Sequence, residues 1–463
     1  MKQKYNFNTL VMIFAVVILV AILTWIVPGG EYQREVKNGK TLVIAESFKY
    51  IDNEPQGIGD ILIAPINGFQ DGAYIIIFLF VIGGAFMVVS ATGAINVAIQ
   101  KLADTFVNKP HLQKYLIPIT MTIFSIGGST FGMCEETLPF VLIFIPLALS
   151  LGYDSIVGTS IPFLGAAAGF AGSTSNPFII GIAQGIAELP LYSGLEFRII
   201  IWAISTGGMI AFVMWYAAKI KKDPTKSPMY EIDQHRKQTL HLDNSERIPF
   251  TINHKIILLL FVVAIVVLIF GILEYGWYIN EIGGLFFALG ITCGIVGKLK
   301  LSEIADNFKE GAKDMVGVAL IIACARAILI IMQDGKILDV MLYGVSNVIS
   351  DMHPVFASQT MFISQGVINF FVHSGSGQAM LTMPIMAPLA DLVGLTRQTA
   401  VLAFQFGEGW INPILPTSAV TMGVLGLAQI PWNKWFKWML HIQIIFFTIA
   451  LALLAIAVFI NYQ

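Results

Sequence analysis

The amino-acid sequence predicts an all-α polytopic membrane protein that contains two inverted repeats. Three observations lead to this prediction. Hydrophobic residues make up 56% of the 463 residues and charged residues only 12%, about half the charged fraction of an average soluble protein. Many windows of about 20 residues are apolar enough to cross a bilayer. Short motifs of the first half also recur in the second half at a nearly constant distance.

The overall composition argues against several other classes of protein. The formal net charge is -2, which gives no reason to expect a nucleic-acid partner. Cys134, Cys293 and Cys324 all lie in or beside apolar segments, a pattern that does not fit a disulfide framework. The sequence has no phosphate-binding loop, no His/Cys metal spacing and no nucleophile elbow. We therefore expect neither a cofactor nor an enzymatic activity.

The transmembrane spans can be read along the chain from the N-terminus. Lys2 and Lys4 precede an apolar run, and the following Pro28-Gly29-Gly30 reads as a turn rather than a signal-peptide cleavage site. Shorter apolar pieces near 176–188 and 418–428 are predicted half-helices. The predicted spans are 9–27, 74–92, 115–127, 138–151, 156–172, 197–218, 256–273, 279–297, 315–332, 356–371, 380–394, 398–410 and 438–460.

Two polar stretches interrupt these spans. Residues 29–72 are predicted to form a loop, and residues 219–255 a basic linker. The linker carries the largest group of lysines and arginines, so the positive-inside rule places it in the cytoplasm. The same rule marks smaller inner loops by Lys101, Lys109 and Lys114, by Lys298 and Lys300, and by Lys434 and Lys437.

The two halves match at an offset of 242 residues. The recurrent positions are Pro146-Leu147-Ala148 with Pro388-Leu389-Ala390, Gly93 with Gly335, Gly165 with Gly407, and Ser175 with Thr417; Gly185–Pro190 matches Gly426–Pro431 at 241. The basic loops give equivalent spans opposite directions, so the repeats are predicted to be inverted. We assign residues 1–218 to the first repeat, 219–255 to the cytoplasmic linker and 256–463 to the second repeat, with 279–297 as an extra span.

Irregular polar stretches occur at paired positions of the two repeats. Residues 127–137 and 373–378 are predicted tips of re-entrant hairpins, and 172–177 and 412–418 are predicted helix breaks. Gly and Pro unwind a helix, and Ser, Thr and Asn then offer polar groups near the membrane midplane. Small residues also serve helix packing, but four paired stretches favour a substrate site. Its candidate residues are Ser129, Thr130, Glu135, Glu136, Thr137, Ser175, Asn176, Ser374, Gly375, Ser376, Glu408, Asn412, Thr417 and Ser418.

Ionisable residues inside predicted spans are costly and usually face a cavity. Glu135 and Glu136 are adjacent in the first hairpin, and Glu408 lies within a span of the second half. Arg326 is the candidate partner for one of these carboxylates. His373 could relay a proton. Trp410 is predicted to line the site, whereas Trp432, Trp435 and Trp438 are expected at the membrane interface.

At these residues the chain resembles the YfcC/DcuC family of membrane carriers, within the ion transporter superfamily. The motifs are Gly-Gly-Ser-Thr-Phe-Gly-Met-Cys-Glu-Glu-Thr (127–137), Ser-Thr-Ser-Asn-Pro-Phe (173–178), His-Ser-Gly-Ser-Gly-Gln-Ala (373–379) and Glu-Gly-Trp-Ile-Asn-Pro (408–413). The resemblance implies an elevator carrier with a scaffold domain, usually dimeric, and a transport domain in a multi-pass protein of the bacterial inner membrane.

The resemblance also bears on the coupling ion. Related carriers use Ser-Asn-Thr signatures for sodium and carboxylate, whereas this chain has Ser175-Asn176-Pro177 in one half and Thr417-Ser418 in the other. Sodium and the proton therefore both stay open. The candidates for ion coupling are Ser173, Asn176, His373 and Thr417, and no metal site other than one for sodium is expected.

The charges of the candidate site indicate which substrate to expect. A dianion near Glu135, Glu136 and Glu408 would meet like charges, whereas an ammonium or guanidinium group would be attracted. We therefore expect transport of small carboxylate-bearing metabolites, with amino acids such as arginine and ornithine favoured over four-carbon dicarboxylates. A channel or a membrane-embedded enzyme is the alternative from another class. The expected partners are the substrate, the lipid bilayer and a second copy of the chain.

Overall fold

Helices dominate the fold. The structure, a computed structural model, describes residues 9–37, 40–95, 97–98, 101, 110–239 and 249–463. The helices in these ranges are α1 Thr9–Ile26, α2 Ile58–Asp71, α3 Ala73–Ala91, α4 Pro110–Thr130, α5 Leu138–Ser150, α6 Ser155–Ala171, α7 Ile182–Ile186, α8 Leu195–Lys222, α9 Tyr230–Thr239, α10 Ile252–Tyr275, α11 Ile279–Val296, α12 Leu301–Lys313, α13 Val316–Asp334, α14 Leu338–Ile349, α15 Pro354–Phe371, α16 Gly375–Leu392, α17 Arg397–Gly409, α18 Ala419–Leu427 and α19 Trp432–Phe459.

The predicted spans coincide with observed helices. Within the described residues, eight helical segments are long and apolar enough to cross a membrane. Other predicted spans are shorter helices, such as α5 and α17, and the half-helix near 176–188 consists of a π-helical turn, Pro177–Gly181, followed by α7. The chain is therefore a multi-pass membrane protein. Lys2, Lys4, Lys109 and part of the predicted linker lie outside the described residues.

The fold is mostly helical, as predicted, but the prediction of a loop over residues 29–72 was wrong. Four strands, Gly29–Glu31, Arg34–Lys37, Lys40–Val43 and Lys49–Ile51, form two antiparallel pairs, Gly29 opposite Ile51 and Arg34 opposite Val43, and α2 follows them. We call residues 29–51 the β-subdomain. Its strands are too short to show an alternation of polar and apolar residues in the sequence. The β-subdomain packs against α14, where the ring of Phe48 stacks on that of Tyr343.

The linker also contains more structure than its composition suggests. Helix α8 continues to Lys222, and α9 lies against the helical core. Asp233 accepts hydrogen bonds from the backbone N–H (2.8 Å) and the hydroxyl (3.0 Å) of Ser155, and Arg236 donates to the carbonyl of Ala428 at 2.7 Å. The linker therefore includes a docked helix, held by polar contacts that hydropathy does not reveal.

The two halves of the chain interleave through a pair of short helices. Helix α2 packs on α13, and α12 packs on α3. Both contacts are backbone to backbone at a glycine: a Cβ on Gly68 would lie 2.1 Å from the carbonyl oxygen of Ala323, and one on Gly311 would lie 2.2 Å from that of Gly83. Next to these pairs, α1 packs on α13 and α11 packs on α3. Each half therefore completes the packing of the other.

Most of the tryptophans near the C-terminus are buried inside the protein. They are Trp410, Trp435 and Trp438. The indole of Trp410 stacks on Phe406 and donates to the hydroxyl of Ser205 at 3.0 Å. Trp435 donates to the carbonyl of Pro413 at 2.8 Å. Trp435 thereby holds the second helix break in place, and the location of Trp435 and Trp438 at the membrane interface stays a prediction.

Candidate functional site

A cavity of about 180 Å³ lies where both hairpin tips and the second helix break meet. The first tip joins α4 to α5, the second joins α15 to α16, and the break joins α17 to α18. Aromatic and apolar side chains complete the wall, among them Phe163, Phe170 and Phe178. Polar groups held by irregular backbone and enclosed by apolar surface are typical of a small-molecule site.

Gly132 allows the first tip to turn back into the protein. Its φ of +80° lies in the left-handed region, which favours glycine. A Cβ at this position would lie 2.8 Å from the amide oxygen of Asn176. The close approach of Asn176 and the turn place the next residues, Cys134 to Thr137, along the wall of the cavity.

Two carboxylates at the first tip face the cavity. Glu135 accepts a hydrogen bond from the hydroxyl of Tyr278 at 3.2 Å. Glu136 is buried and accepts from the backbone N–H of Cys134 at 2.8 Å. Neither forms an ion pair with Lys, Arg or His within the described part of the chain. Both acids therefore remain available to a cationic ligand.

The third carboxylate, Glu408, lies next to the second hairpin. It is 2% exposed, and one oxygen accepts from the amide of Asn412 at 2.8 Å. Its other oxygen, Oε2, has no hydrogen-bond partner among the described residues. A Cβ on Gly375, the first residue of α16, would lie 3.4 Å from Oε1 of Glu408. An unsatisfied buried carboxylate oxygen is costly, so this position favours a proton or a cationic group.

Arg326 also lines the cavity, but its ion pair is with a residue that we had not considered. Its Nη1 atom lies 3.3 Å from Oδ2 of Asp71, at the end of α2. Among the described residues Arg326 forms no ion pair within 4 Å with a cavity glutamate, so its role toward Glu135, Glu136 or Glu408 stays a prediction. Because α2 was read as loop, the sequence did not reveal Asp71 as a partner. His373, another wall residue, lies 3.2 Å from the hydroxyl of Thr417 through Nε2.

The cavity brings together most of the predicted site residues, but not all of them. Glu135, Glu136, Thr137, His373, Ser374, Gly375, Ser376, Glu408, Asn412 and Ser418 line it. The remaining candidates, Ser129, Thr130, Ser173, Ser175, Asn176 and Thr417, are not among its wall residues. The first helix break packs on the first hairpin tip, because the hydroxyl of Ser129 lies 3.0 Å from that of Thr174, and the side chain of Asn176 caps the next turn. Trp410, predicted to line the site, lies behind it.

Many carbonyls freed by the helix breaks are already bonded to side chains. At the first break, Gln405 donates to the carbonyls of Ala171 (2.8 Å) and Ser173 (3.2 Å). At the second break, the carbonyls of Glu408, Trp410, Asn412, Pro413 and Ile414 accept from Asn369, Gln443, Thr421, Trp435 and Trp432 respectively. These hydrogen bonds satisfy the buried backbone carbonyls, which a proline-containing helix break within a membrane requires.

The structure adds wall residues that sequence reasoning missed. Tyr278, Phe163, Phe170 and Phe178 belong to the wall. Tyr278 directly precedes α11 and follows Trp277, so in the sequence it looks like an ordinary interfacial aromatic. Tertiary packing alone distinguishes it.

A larger cavity, of about 790 Å³, lies on the side of the linker helix α9. Its wall includes Phe86 of α3, Ile145 of α5 and Arg236 of α9. Buried side chains separate it from the central cavity: a Cβ on Gly423 would contact Leu138 at 3.0 Å and Leu79 at 3.1 Å. The central cavity is thus closed toward this face by an apolar barrier.

Comparison with known proteins identifies the family. The model of the DcuC family, described as C4-dicarboxylate anaerobic carrier, matches residues 8–459. The chain is 38% identical to "Putative basic amino acid antiporter YfcC" of Escherichia coli over 93% of this chain and 92% of that protein. It is 31% identical to an uncharacterized protein of Haemophilus influenzae over 95% of this chain and 94% of that protein.

Two solved structures can also be aligned with the whole chain. The Alcanivorax borkumensis YdaH transporter aligns over 98% of this chain and 99% of its own, with 15% identity and a TM-score of 0.42. Neisseria gonorrhoeae MtrF aligns over 99% and 96%, with 17% identity and a TM-score of 0.43. The match of the family model along nearly the full length confirms the resemblance found in the sequence: the chain belongs to the DcuC family and is a multi-pass membrane transporter.

Proposed function

We propose that this protein is a secondary transporter of small carboxylate-bearing amino acids, with cationic ones such as arginine and ornithine favoured, in the bacterial inner membrane. One observation carries the proposal: Glu135, Glu136 and Glu408 line the same cavity. A guanidinium or ammonium group would meet three acceptors there. The name of the Escherichia coli relative, a putative basic amino acid antiporter, agrees with this choice.

Electrostatics disfavours a dianion in this cavity. Like charges about 4 Å apart repel by several kcal/mol at the effective dielectric of a partly buried site. Arg326 is the one arginine or lysine in the wall as the structure describes it, and it already contacts Asp71. The excess of acidic side chains thus favours a ligand with positive charge.

The substrate's carboxylate would need donors of its own. Helices α16 and α18 both begin at the cavity, and positive helix N-termini attract anions. Hydroxyls of Ser376 and Ser418 are also in the wall. An amino acid could therefore place its carboxylate against the second hairpin and its cationic end against Glu135 and Glu136.

A four-carbon dicarboxylate is the second candidate substrate. The description of the matching family model favours it, and so does the presence of Arg326 in the wall. In that case Arg326 would have to exchange Asp71 for a substrate carboxylate, and the glutamates would have to be protonated.

For the mechanism we propose elevator-type alternating access by two inverted repeats, with a homodimer formed through the scaffold. The reciprocal contacts of α2 with α13 and of α12 with α3 support the repeats. Helix α1 packs on α13 and α11 packs on α3, so α11 of the second repeat corresponds to α1 of the first. The helix of the second repeat without a counterpart in the first would then be α10, not the span 279–297, which is α11. The cavity on the linker side, separated by Leu79 and Leu138, supports access from alternate faces.

For coupling we propose exchange or proton movement rather than sodium. A sodium ion would need carbonyl oxygens from the helix breaks. Several of these carbonyls already accept hydrogen bonds from the side chains of Gln405, Asn369 and Thr421. The unsatisfied oxygen of Glu408 is a better acceptor for a proton or for the substrate's cationic group.

Counterflow in proteoliposomes tests the proposal. Liposomes loaded with arginine should accumulate labelled arginine or ornithine without sodium, and a pH gradient should be tested alongside. Neutral amino acids should exchange more weakly. Exchange of succinate alone would refute the cationic substrate, and a requirement for sodium would refute the proposed coupling.

A further inference from the structure

Another cavity, of about 300 Å³, adjoins the central one on the side of the β-subdomain. The two cavities share Arg326, His373 and Ser374 as wall residues. Arg34 and Val43 of the β-subdomain contribute the opposite wall of this outer cavity. Because strand Lys40–Val43 packs on α16, the β-subdomain covers the second hairpin where the outer cavity reaches it.

A further cavity, of about 260 Å³, adjoins the outer cavity on the side away from the central one. It shares Arg34, Gln333 and Leu338 with the outer cavity, and its other wall residues are Gly30, Glu31, Lys336 and Asp339. Adjacent cavities that share wall residues thus form a series from the β-subdomain to the three glutamates. The basic linker lies at the opposite face, so this series begins on the extracytoplasmic side.

The charges of the outer cavity are opposite to those of the central one. Among the described residues, its wall contains two arginines, Arg34 and Arg326, and no Asp or Glu. Arg34 bonds Asp339 at 2.8 Å and the carbonyl of Tyr32 at 3.1 Å, and its side chain is 40% exposed. Arg326 contacts Asp71 through one nitrogen. A guanidinium carries five N–H donors, so both arginines retain donors for a further anion.

We propose that the outer cavity is a carboxylate-binding subsite on the extracytoplasmic route, with Arg34 and Arg326 as its donors. The inference rests on the proposed transport function and specifies how the substrate approaches. A guanidinium–carboxylate contact is directional, so the two arginines retain the carboxylate end. The cationic end of an amino acid then enters the central cavity first, toward Glu135, Glu136 and Glu408.

The test measures uptake by the full-length protein in proteoliposomes from each face separately. For Arg34→Gln we expect the KM for arginine from the extracytoplasmic face to rise roughly three- to ten-fold, with kcat and the KM from the linker face unchanged. Argininamide, which lacks the carboxylate, should be transported equally by the wild type and by Arg34→Gln. Arg397→Gln is the matched control, because Arg397 pairs with Glu188 and Asp391 and lines none of the three cavities.

Asp339→Asn separates binding from folding of the β-subdomain. It removes the same ion pair as Arg34→Gln but keeps the cation, so we expect no rise in KM. An equal rise for both variants, an equal effect on argininamide, or no effect of Arg34→Gln would overturn the proposal. If the wild type transports succinate but not arginine, the proposed substrate fails. The subsite is then judged by the KM for succinate, which Arg34→Gln should still raise.

Discussion

At the scale of single residues, the acidic wall of the central cavity determines which ligands are compatible with it. Glu136 and Glu408 are almost fully buried, yet neither has a cationic partner among the described residues. Burial without compensation is costly, and a positively charged substrate removes that cost. Substrate selectivity is therefore expected to depend on these side chains more than on the hydroxyls around them.

We expect Glu136→Gln and Glu408→Gln to lower uptake of arginine by at least about tenfold and uptake of neutral amino acids much less. The amide removes the negative charge while it preserves side-chain size. Initial rates in proteoliposomes measure the effect. Glu188→Gln serves as control, because Glu188 is exposed and contacts Arg397 away from the cavity. An equal loss for both substrate classes would indicate a structural or proton-coupling role instead.

The sequence predicted this site in part. Glu135, Glu136 and Glu408 stood out because carboxylates are rare in apolar spans. The hydroxyls of the first break, such as Ser175, did not reach the cavity, because local composition cannot tell whether a polar group faces a ligand or a neighbouring loop. Tyr278 and Asp71 were missed since each comes from an element distant in sequence.

At the scale of elements, the docked linker helix α9 is the clearest departure from what hydropathy predicts. Arg236 contacts both Asp233 and the carbonyl of Ala428, which directly follows α18. Burial raises the pKa of Asp233, while its bonds to Ser155 and the charge of Arg236 oppose that rise. The helix therefore connects the beginning of α6 to the end of α18.

We expect Arg236→Ala to loosen α9, because it removes a charge-assisted bond to a backbone carbonyl worth about 1.5–3 kcal/mol. Hydrogen–deuterium exchange of residues 230–239 should increase by roughly ten-fold or more, the change that this energy implies. Gln238→Ala, an exposed position of the same helix, should leave exchange unchanged. Unaltered protection in Arg236→Ala would mean that α9 is held by its apolar contacts alone.

Helices and strands could be predicted where a run of neighbouring residues in the sequence shows the pattern that specifies them. The apolar helices α3, α13 and α19 are long enough to span a bilayer, so hydropathy located them. The β-subdomain, α2 and α12 have no such run; they are stable because they pack on other parts of the chain. Their existence depends on tertiary contacts, which a single sequence does not contain.

At the scale of the whole molecule, the reciprocal contacts of α2 and α12 tie the two halves together. Each helix presents one glycine to the backbone of a span from the other half. A methyl group at either position would force the helices apart, because neither Ala323 nor Gly83 can move its carbonyl without moving its helix.

We expect Gly68→Ala and Gly311→Ala to destabilise the protein by similar amounts, about 1–3 kcal/mol each. Thermal unfolding in detergent, followed by the loss of monodisperse protein, measures the effect. Gly59→Ala, in the same helix as Gly68 but with nothing within 4 Å, should not lower the midpoint. If only one of the two substitutions were harmful, the contacts would not be equivalent and the symmetry of the repeats would lose support.

The interleaved helices also constrain how the protein is made. Helix α2 leaves the ribosome more than two hundred residues before its partner α13. At translation rates of about 5–20 residues per second, that delay lasts roughly ten seconds to a minute. During this time α2, which carries Asp60 and Asp71 beside its apolar residues, can contact only its neighbours α1 and α3 and lacks the helix on which it packs most closely. The packing of α2 on α13 therefore forms only after the second half has been made, so we expect folding of this region to be a late step in the biogenesis of the protein.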